Sequence, residues 1–352
     1  MGLLKAFGKS PRGAETALYS KFPHYAEGKF ANLSETIMMP KGVSMPKLLW
    51  RFMTKPRNCF PEGQIPSVKT DLKSIYSNQG SHPVIIWFGH SSYLIYIQGI
   101  TILVDPVFSG HASPFRFTAR SFRGSDIYTV DDLPPIDILL ITHDHYDHLD
   151  WKTVSGLKQK VKLLCTSLGV STHLEYWGWD KKKIREFAWG DHFQLAESIT
   201  LTAKPARHFS GRGLARNRTL WSSFVLRAGN FRIYIGGDSG YDTHFREIGR
   251  DHGPFDIVML ECGQYSQDWP FIHMMPEQTV QAAIDLQARL LMPVHWGKFS
   301  LSLHPWNEPI LKASLAAAKL GMPLTTPKIG EPVRLGENAP TMTWWEEFEQ
   351  HP

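Results

Sequence analysis

The chain has 352 residues, 42% of them hydrophobic and 20% charged, with a formal charge of +5. That length fits two ordinary domains or one large α/β unit with an extension, and the composition excludes a disordered, collagen-like or low-complexity protein. Lys and Arg at 38 against Asp and Glu at 33 admit an anionic substrate or an anionic membrane surface, but the excess is too mild for a nucleic-acid binder.

No run approaches the roughly 18–20 consecutive apolar residues that a transmembrane helix needs. The opening Met1-Gly-Leu-Leu-Lys-Ala-Phe7 has too short an apolar stretch for a secretory leader. Met1-Gly2 begins like a myristoylation site, but Ala6 stands where Ser or Thr is expected. Cys59, Cys165 and Cys262 are odd in number, widely spaced and in no CxxC pair, which reads as reduced, mostly buried thiols of a cytoplasmic protein. The counts of 16 histidines and 12 tryptophans are more telling, because the histidines are arranged.

Residues 1–80 are irregular and rich in proline (Pro11, Pro23, Pro40, Pro46, Pro56, Pro61, Pro66), so they read as an arm packed on the main body rather than a domain. Their one compact apolar piece is Met45-Pro-Lys-Leu-Leu-Trp-Arg-Phe-Met53, and Asp71 to Ser77 forms a short lead-in helix. From Pro83 the texture turns β-branched and aromatic. Strands are expected at 84–88, 92–97 and 100–104, then at 136–141 after a loop carrying Arg116, Arg120 and Arg123. A helix at 153–159, a strand at 162–165 and a helix at 171–177 follow. The second half offers strands at 199–203, 221–226, 231–235 and 255–260, a helix at 276–288 opened by Pro276 and Glu277, and a last strand at 290–294. Mixed strands with interspersed helices predict a four-layer αββα sandwich over residues 81–352, with no boundary inside 83–335.

The decisive segment is Thr142-His-Asp-His-Tyr-Asp-His-Leu149, directly after an apolar strand. His143, His145, Asp147 and His148 can converge on a small volume there, and imidazoles with a carboxylate suit zinc, iron or manganese. Further donors also stand immediately after strands: His208 after 199–203, Asp238 in Gly-Gly-Asp-Ser-Gly, and His295 after Leu-Met-Pro-Val. Glycines beside Asp238 let backbone approach the site.

This order of H-x-H-x-D-H, His, Asp in a Gly-Gly-Asp-x-Gly setting and a late His resembles the metallo-β-lactamase fold, from about residue 82 to 335. The resemblance implies a dinuclear site, with His143, His145 and His208 on one metal, Asp147, His148 and His295 on the other, and Asp238 between them. Trp87-Phe-Gly-His-Ser-Ser, Leu103-Val-Asp-Pro-Val-Phe-Ser, Leu133-Pro-Pro-Ile-Asp, Gly253-Pro-Phe-Asp and His295-Trp-Gly-Lys-Phe-Ser-Leu are similar to the branch of N-acylphosphatidylethanolamine-hydrolysing phospholipases D. In that branch an active-site histidine precedes a Pro-Glu helix start, which makes His273 before Pro276-Glu277 the candidate for substrate contact or leaving-group protonation.

Two zinc ions, or iron or manganese, would lower the pKa of a bridging water to give hydroxide at neutral pH, oriented by Asp147 and Asp238. The expected activity is hydrolysis of a phospholipid or related phosphodiester; a small-molecule lactonase, a nuclease and a non-catalytic lipid-binding role are the alternatives. Leu48, Leu49, Trp50, Phe52 and Met53 beside Lys47, Arg51 and Lys55 could rest on the inner face of a membrane, wall an acyl groove or pack on the sandwich. Arg212, Arg216 and Arg218 offer a phosphate clamp, and Asp105 a carboxylate that orients a ligand histidine. Oligomeric state is left open.

Overall fold

The computed structural model describes residues 5–348 other than Lys41, Asn78, Gln79, Ser81 and Leu214. Met1-Gly2 lies outside them. The arm holds helices α1 (Ala14–Ala17), α2 (Met45–Met53) and α3 (Leu72–Ser77) and a short hairpin, β1 (Tyr25–Ala26) and β2 (Lys29–Phe30). Its prolines do not preclude helix: Pro46 sits in the first turn of α2, where no intrahelical partner for its nitrogen is needed.

Beyond it come β3 (Val84–Trp87), β4 (Tyr93–Ile97), β5 (Ile100–Val104), β6 (Ile136–Ile141), α4 (Trp151–Leu157), β7 (Val161–Ser167), α5 (Ser171–Tyr176) and β8 (Ile184–Phe187). The second half runs β9 (His192–Ala196), β10 (Ile199–Lys204), β11 (Ser223–Ala228), β12 (Phe231–Ile235), α6 (His244–His252), β13 (Ile257–Glu261), α7 (Pro276–Asp285), β14 (Leu291–Val294), α8 (Glu308–Leu320) and β15 (Pro332–Arg334). The seven-stranded sheet has the order β15-β3-β4-β5-β6-β7-β8, and the six-stranded sheet β14-β13-β12-β11-β10-β9. Each changes from antiparallel to parallel pairing part-way, at β5–β6 and at β12–β13.

Alternation along the strands explains the layers. Ile233, Ile235, Ile257 and Met259 face the core between the sheets, while Tyr234, Val258 and Leu260 face Phe245, Val280 and Ala283 of the covering helices. Both faces of each central strand are thereby apolar, as parallel strands under helices require. This is the mixed α/β sandwich of stacked sheets expected from the sequence. Among the described residues no helix is long and apolar enough to cross a membrane.

Candidate metal centre

Every candidate donor follows the C-terminal end of a strand. Asp105 follows β5, the His143–His148 string β6, His208 β10, Asp238 β12 and His295 β14. Carboxyl ends of strands are where such sheets open a crevice for ligands. Backbone closeness is enforced beside Asp238: a Cβ on Gly236 would lie 2.7 Å from the Met259 carbonyl oxygen. His90, Asp105 and His295 adopt φ of 54°, 40° and 68°, a left-handed conformation that non-glycine residues hold only where surrounding structure imposes it.

Among the described residues three groups of side chains place ligand atoms within 4.8 Å of one another: Asp238, His273 and His295, and the two larger sets His143, His145, His208 and Asp238, and His90, Asp147, His148 and His295. Asp238 lies between them. Its Oδ2 is 3.7 Å from Nε2 of both His143 and His208 and 3.1 Å from Nε2 of His148, and its Oδ1 is 3.2 Å from Nδ1 of His295. All seven candidates from the sequence thus converge.

Surrounding groups turn the rings. Asp105 Oδ2 accepts from His148 Nδ1 at 2.7 Å while Thr142 donates to the same carboxylate from N and Oγ1. His208 Nδ1 meets the Ile272 carbonyl oxygen at 2.7 Å. Asn32 grips His208 from the arm, donating to its carbonyl at 2.8 Å and accepting from its N–H at 3.0 Å. The tryptophans brace His295: Trp296 packs 5.4 Å from Trp87 and 5.0 Å from Trp344, and the His295 N–H donates to the His90 carbonyl.

The donor set fits metal ions. Among the described residues Nε2 of His145 is buried without a hydrogen-bond partner, an arrangement that costs free energy unless something accepts its lone pair. Burial holds His143, His208 and His295 well below the ordinary histidine value, so each offers a neutral nitrogen. Burial also opposes charge on His148, but Asp238, Asp147 and Asp105 together drive its pKa well above the ordinary value. That spot favours positive charge, which a divalent cation supplies with the ring neutral.

His273 stands beside the donors, its ring 5.0 Å from His208 and 5.2 Å from His295. Its Nδ1 donates to Glu261 Oε2 at 2.5 Å. Burial disfavours the charged ring, yet this carboxylate outweighs it and raises the His273 pKa to about 9. Glu261 also accepts from the N–H groups of Ser239 and Met274. Sequence reasoning missed Glu261 as a site residue and left His90, whose Nε2 is 2.9 Å from Asp147 Oδ2, without a role. Each carried the signal used for the others, a polar residue closing or following an apolar strand.

A cavity of about 300 Å³ opens onto His145, Asp147, Asp238, His273 and His295. Met38, Met39, Met45 and Leu48 of the arm form its apolar wall. Arg216 stands at its lining, but the three-arginine clamp does not form. Arg212 is buried and spends its guanidinium on the carbonyls of Ala6, Asp144 and Leu149, and Arg218 on that of Gly28. Leu214 of this loop lies outside the described residues.

A model of the β-lactamase superfamily domain matches residues 101–296. An uncharacterized protein of Mycobacterium tuberculosis is 37% identical over 97% of this chain and 94% of its own length. The N-acyl-phosphatidylethanolamine-hydrolyzing phospholipase D 1 of Caenorhabditis elegans is 32% identical over 61% of this chain and 64% of its own. Among solved structures, the metallo hydrolase Igni18 of Ignicoccus hospitalis superposes with a TM-score of 0.54 at 17% identity, covering 73% of this chain and all of that one. The chain is therefore a metal-dependent hydrolase of the metallo-β-lactamase superfamily, similar over part of its length to N-acylphosphatidylethanolamine-hydrolysing phospholipases D.

Proposed function

We propose that the chain is a dinuclear phosphodiesterase of the phospholipase D type, acting on N-acylphosphatidylethanolamine or a related lipid phosphodiester. The observation that carries this reading is the cavity, where an apolar wall from Met38, Met39, Met45 and Leu48 faces a cluster of histidines and carboxylates. A lactonase for small polar substrates has no use for such a wall.

In this reading His143, His145 and His208 would hold one ion, Asp147, His148 and His295 the other, and Asp238 would serve both. Zinc is the ion proposed, and iron or manganese suits the same donors. When bound, the ions supply Lewis acidity toward phosphoryl oxygens and a nucleophile at neutral pH. Burial works against charge on Asp147 and Asp238, yet neighbouring imidazoles, His148 foremost, hold both carboxyls well below their ordinary range. Both are therefore acceptors that orient the attacking water. Water oxygen forms the new bond to phosphorus and releases a proton to solvent as the P–O bond to the N-acylethanolamine breaks, and His273, held by Glu261 through Nδ1, gives its Nε2 proton to the departing alkoxide.

Residues 1–80 act as the arm that walls the cavity, and 81–352 as the hydrolase domain. The exposed Leu49, Trp50 and Met53 of α2 supply a peripheral contact at the inner, cytoplasmic face of the membrane. The test offers detergent-dispersed N-acylphosphatidylethanolamine and a sugar-phosphate lactone to the metal-loaded protein. Metal-dependent release of N-acylethanolamine is expected. Lactone opening without phosphodiester turnover would overturn the reading.

A further inference from the structure

The loop arginines Arg120 and Arg123 have no part in the metal centre, yet they line a second cavity of about 480 Å³ that α2 borders through Phe52. Four phenylalanines enclose it: Phe52 from α2, then Phe60, Phe117 and Phe122. Lys55 joins the two arginines as its third cation, and among the described residues no carboxylate lines it. Lys55 donates to the carbonyl and hydroxyl oxygens of Ser300, both neutral, and burial pushes its ammonium down to about 8. Cations without acids, set among aromatic rings, suit a ligand that is anionic at one end and apolar at the other.

The place of this groove selects the ligand's source. Leu48 of α2 lines the catalytic cavity and Phe52, one turn on, lines the groove. Phe52 also stacks 6.0 Å from Trp269, which lines the catalytic cavity. Helix α2 exposes Trp50 at 63%, and the lining of the groove carries Phe117 at 77%. Large exposed apolar side chains around a cationic groove complement a bilayer carrying anionic headgroups.

We propose that the groove between α2 and the Arg120–Arg123 loop binds the headgroup phosphate of an anionic bilayer phospholipid, seating α2 in the interface beside the catalytic cavity. This deepens the membrane contact proposed above and is tested apart from turnover. The metal-loaded protein is sedimented with vesicles of phosphatidylcholine alone, or of equal parts phosphatidylcholine and phosphatidylglycerol, neither containing N-acylated lipid. Binding to the anionic vesicles is expected to be stronger, and the Arg120→Gln/Arg123→Gln variant to lose about 25-fold of it, as two interfacial cations contribute. If that variant fails to fold, Phe117→Gln in the lining of the groove serves instead and is expected to weaken anionic-vesicle binding. Equal binding to both vesicles, or variants that bind like the parent, would overturn the proposal. So would tight binding of inorganic phosphate at the groove without any preference between vesicles, since the anion would then be a soluble one.

Discussion

Nδ1 of His273 lies 2.5 Å from Oε2 of Glu261, a carboxylate with no solvent exposure that ends strand β13. The pairing gives the histidine a fixed ring orientation and a charge that persists to about pH 9.

Glu261→Gln removes the carboxylate that raises the His273 pKa, so that pKa falls toward 6.5. A donor that works in its charged form is then lost at lower pH, and the alkaline limb of the kcat profile moves down. The kcat on a lipid phosphodiester is expected to fall about 100-fold, the contribution of a positioned general acid. An aryl phosphodiester, whose phenolate leaves without a proton, should be spared. An unmoved alkaline limb would contradict the assignment.

Asp105→Asn keeps the size of the residue and removes the acceptor that turns His148 toward Asp238. Loss of such an orienting partner weakens metal binding by about 10- to 100-fold. Chelator competition followed by metal analysis measures this, and affinity equal to the parent's would show that His148 needs no such support.

Leu48→Ala shortens the apolar wall of the catalytic cavity without touching a donor. The KM for a long-acyl substrate is expected to rise about ten-fold, the low end for lost pocket contact, with a short-chain analogue unaffected. Equal effects on both chain lengths would detach α2 from acyl recognition.

Gly8 has a φ of 68°, and a Cβ there would overlap Nδ1 of His173. The same segment docks through Lys9 N–H to His173 and through Ala6 carbonyl to Arg212. Gly8→Val is therefore expected to cost about 2–3 kcal/mol, the range for strain at a special backbone position. Denaturant unfolding measures it, and an unchanged midpoint would show that residues 5–9 are not latched.

The sandwich and the seven convergent donors were legible because the strands stand out by their apolar residues and each donor lies just past the end of one, His208 four residues beyond β10. Strands β8 and β9 were not, since Ile184–Phe187 is short and His192–Ala196 alternates weakly between half-exposed and exposed residues. Helix α2 was hidden by Pro46 and by an apolar face that stays in solvent. Asn32 was invisible for another reason: its value lies in reaching both backbone groups of His208 across 176 positions, which no local pattern records.

The central claim is hydrolysis at phosphorus by this metal centre. It is tested most directly by mass spectrometry of products from N-acylphosphatidylethanolamine in ¹⁸O-water, with zinc-loaded parent beside Asp238→Asn. Phosphatidic acid carrying one ¹⁸O and unlabelled N-acylethanolamine are expected from the parent, and neither from the variant. Label in the N-acylethanolamine, turnover undiminished in Asp238→Asn, or no turnover with two metals bound per chain would contradict it.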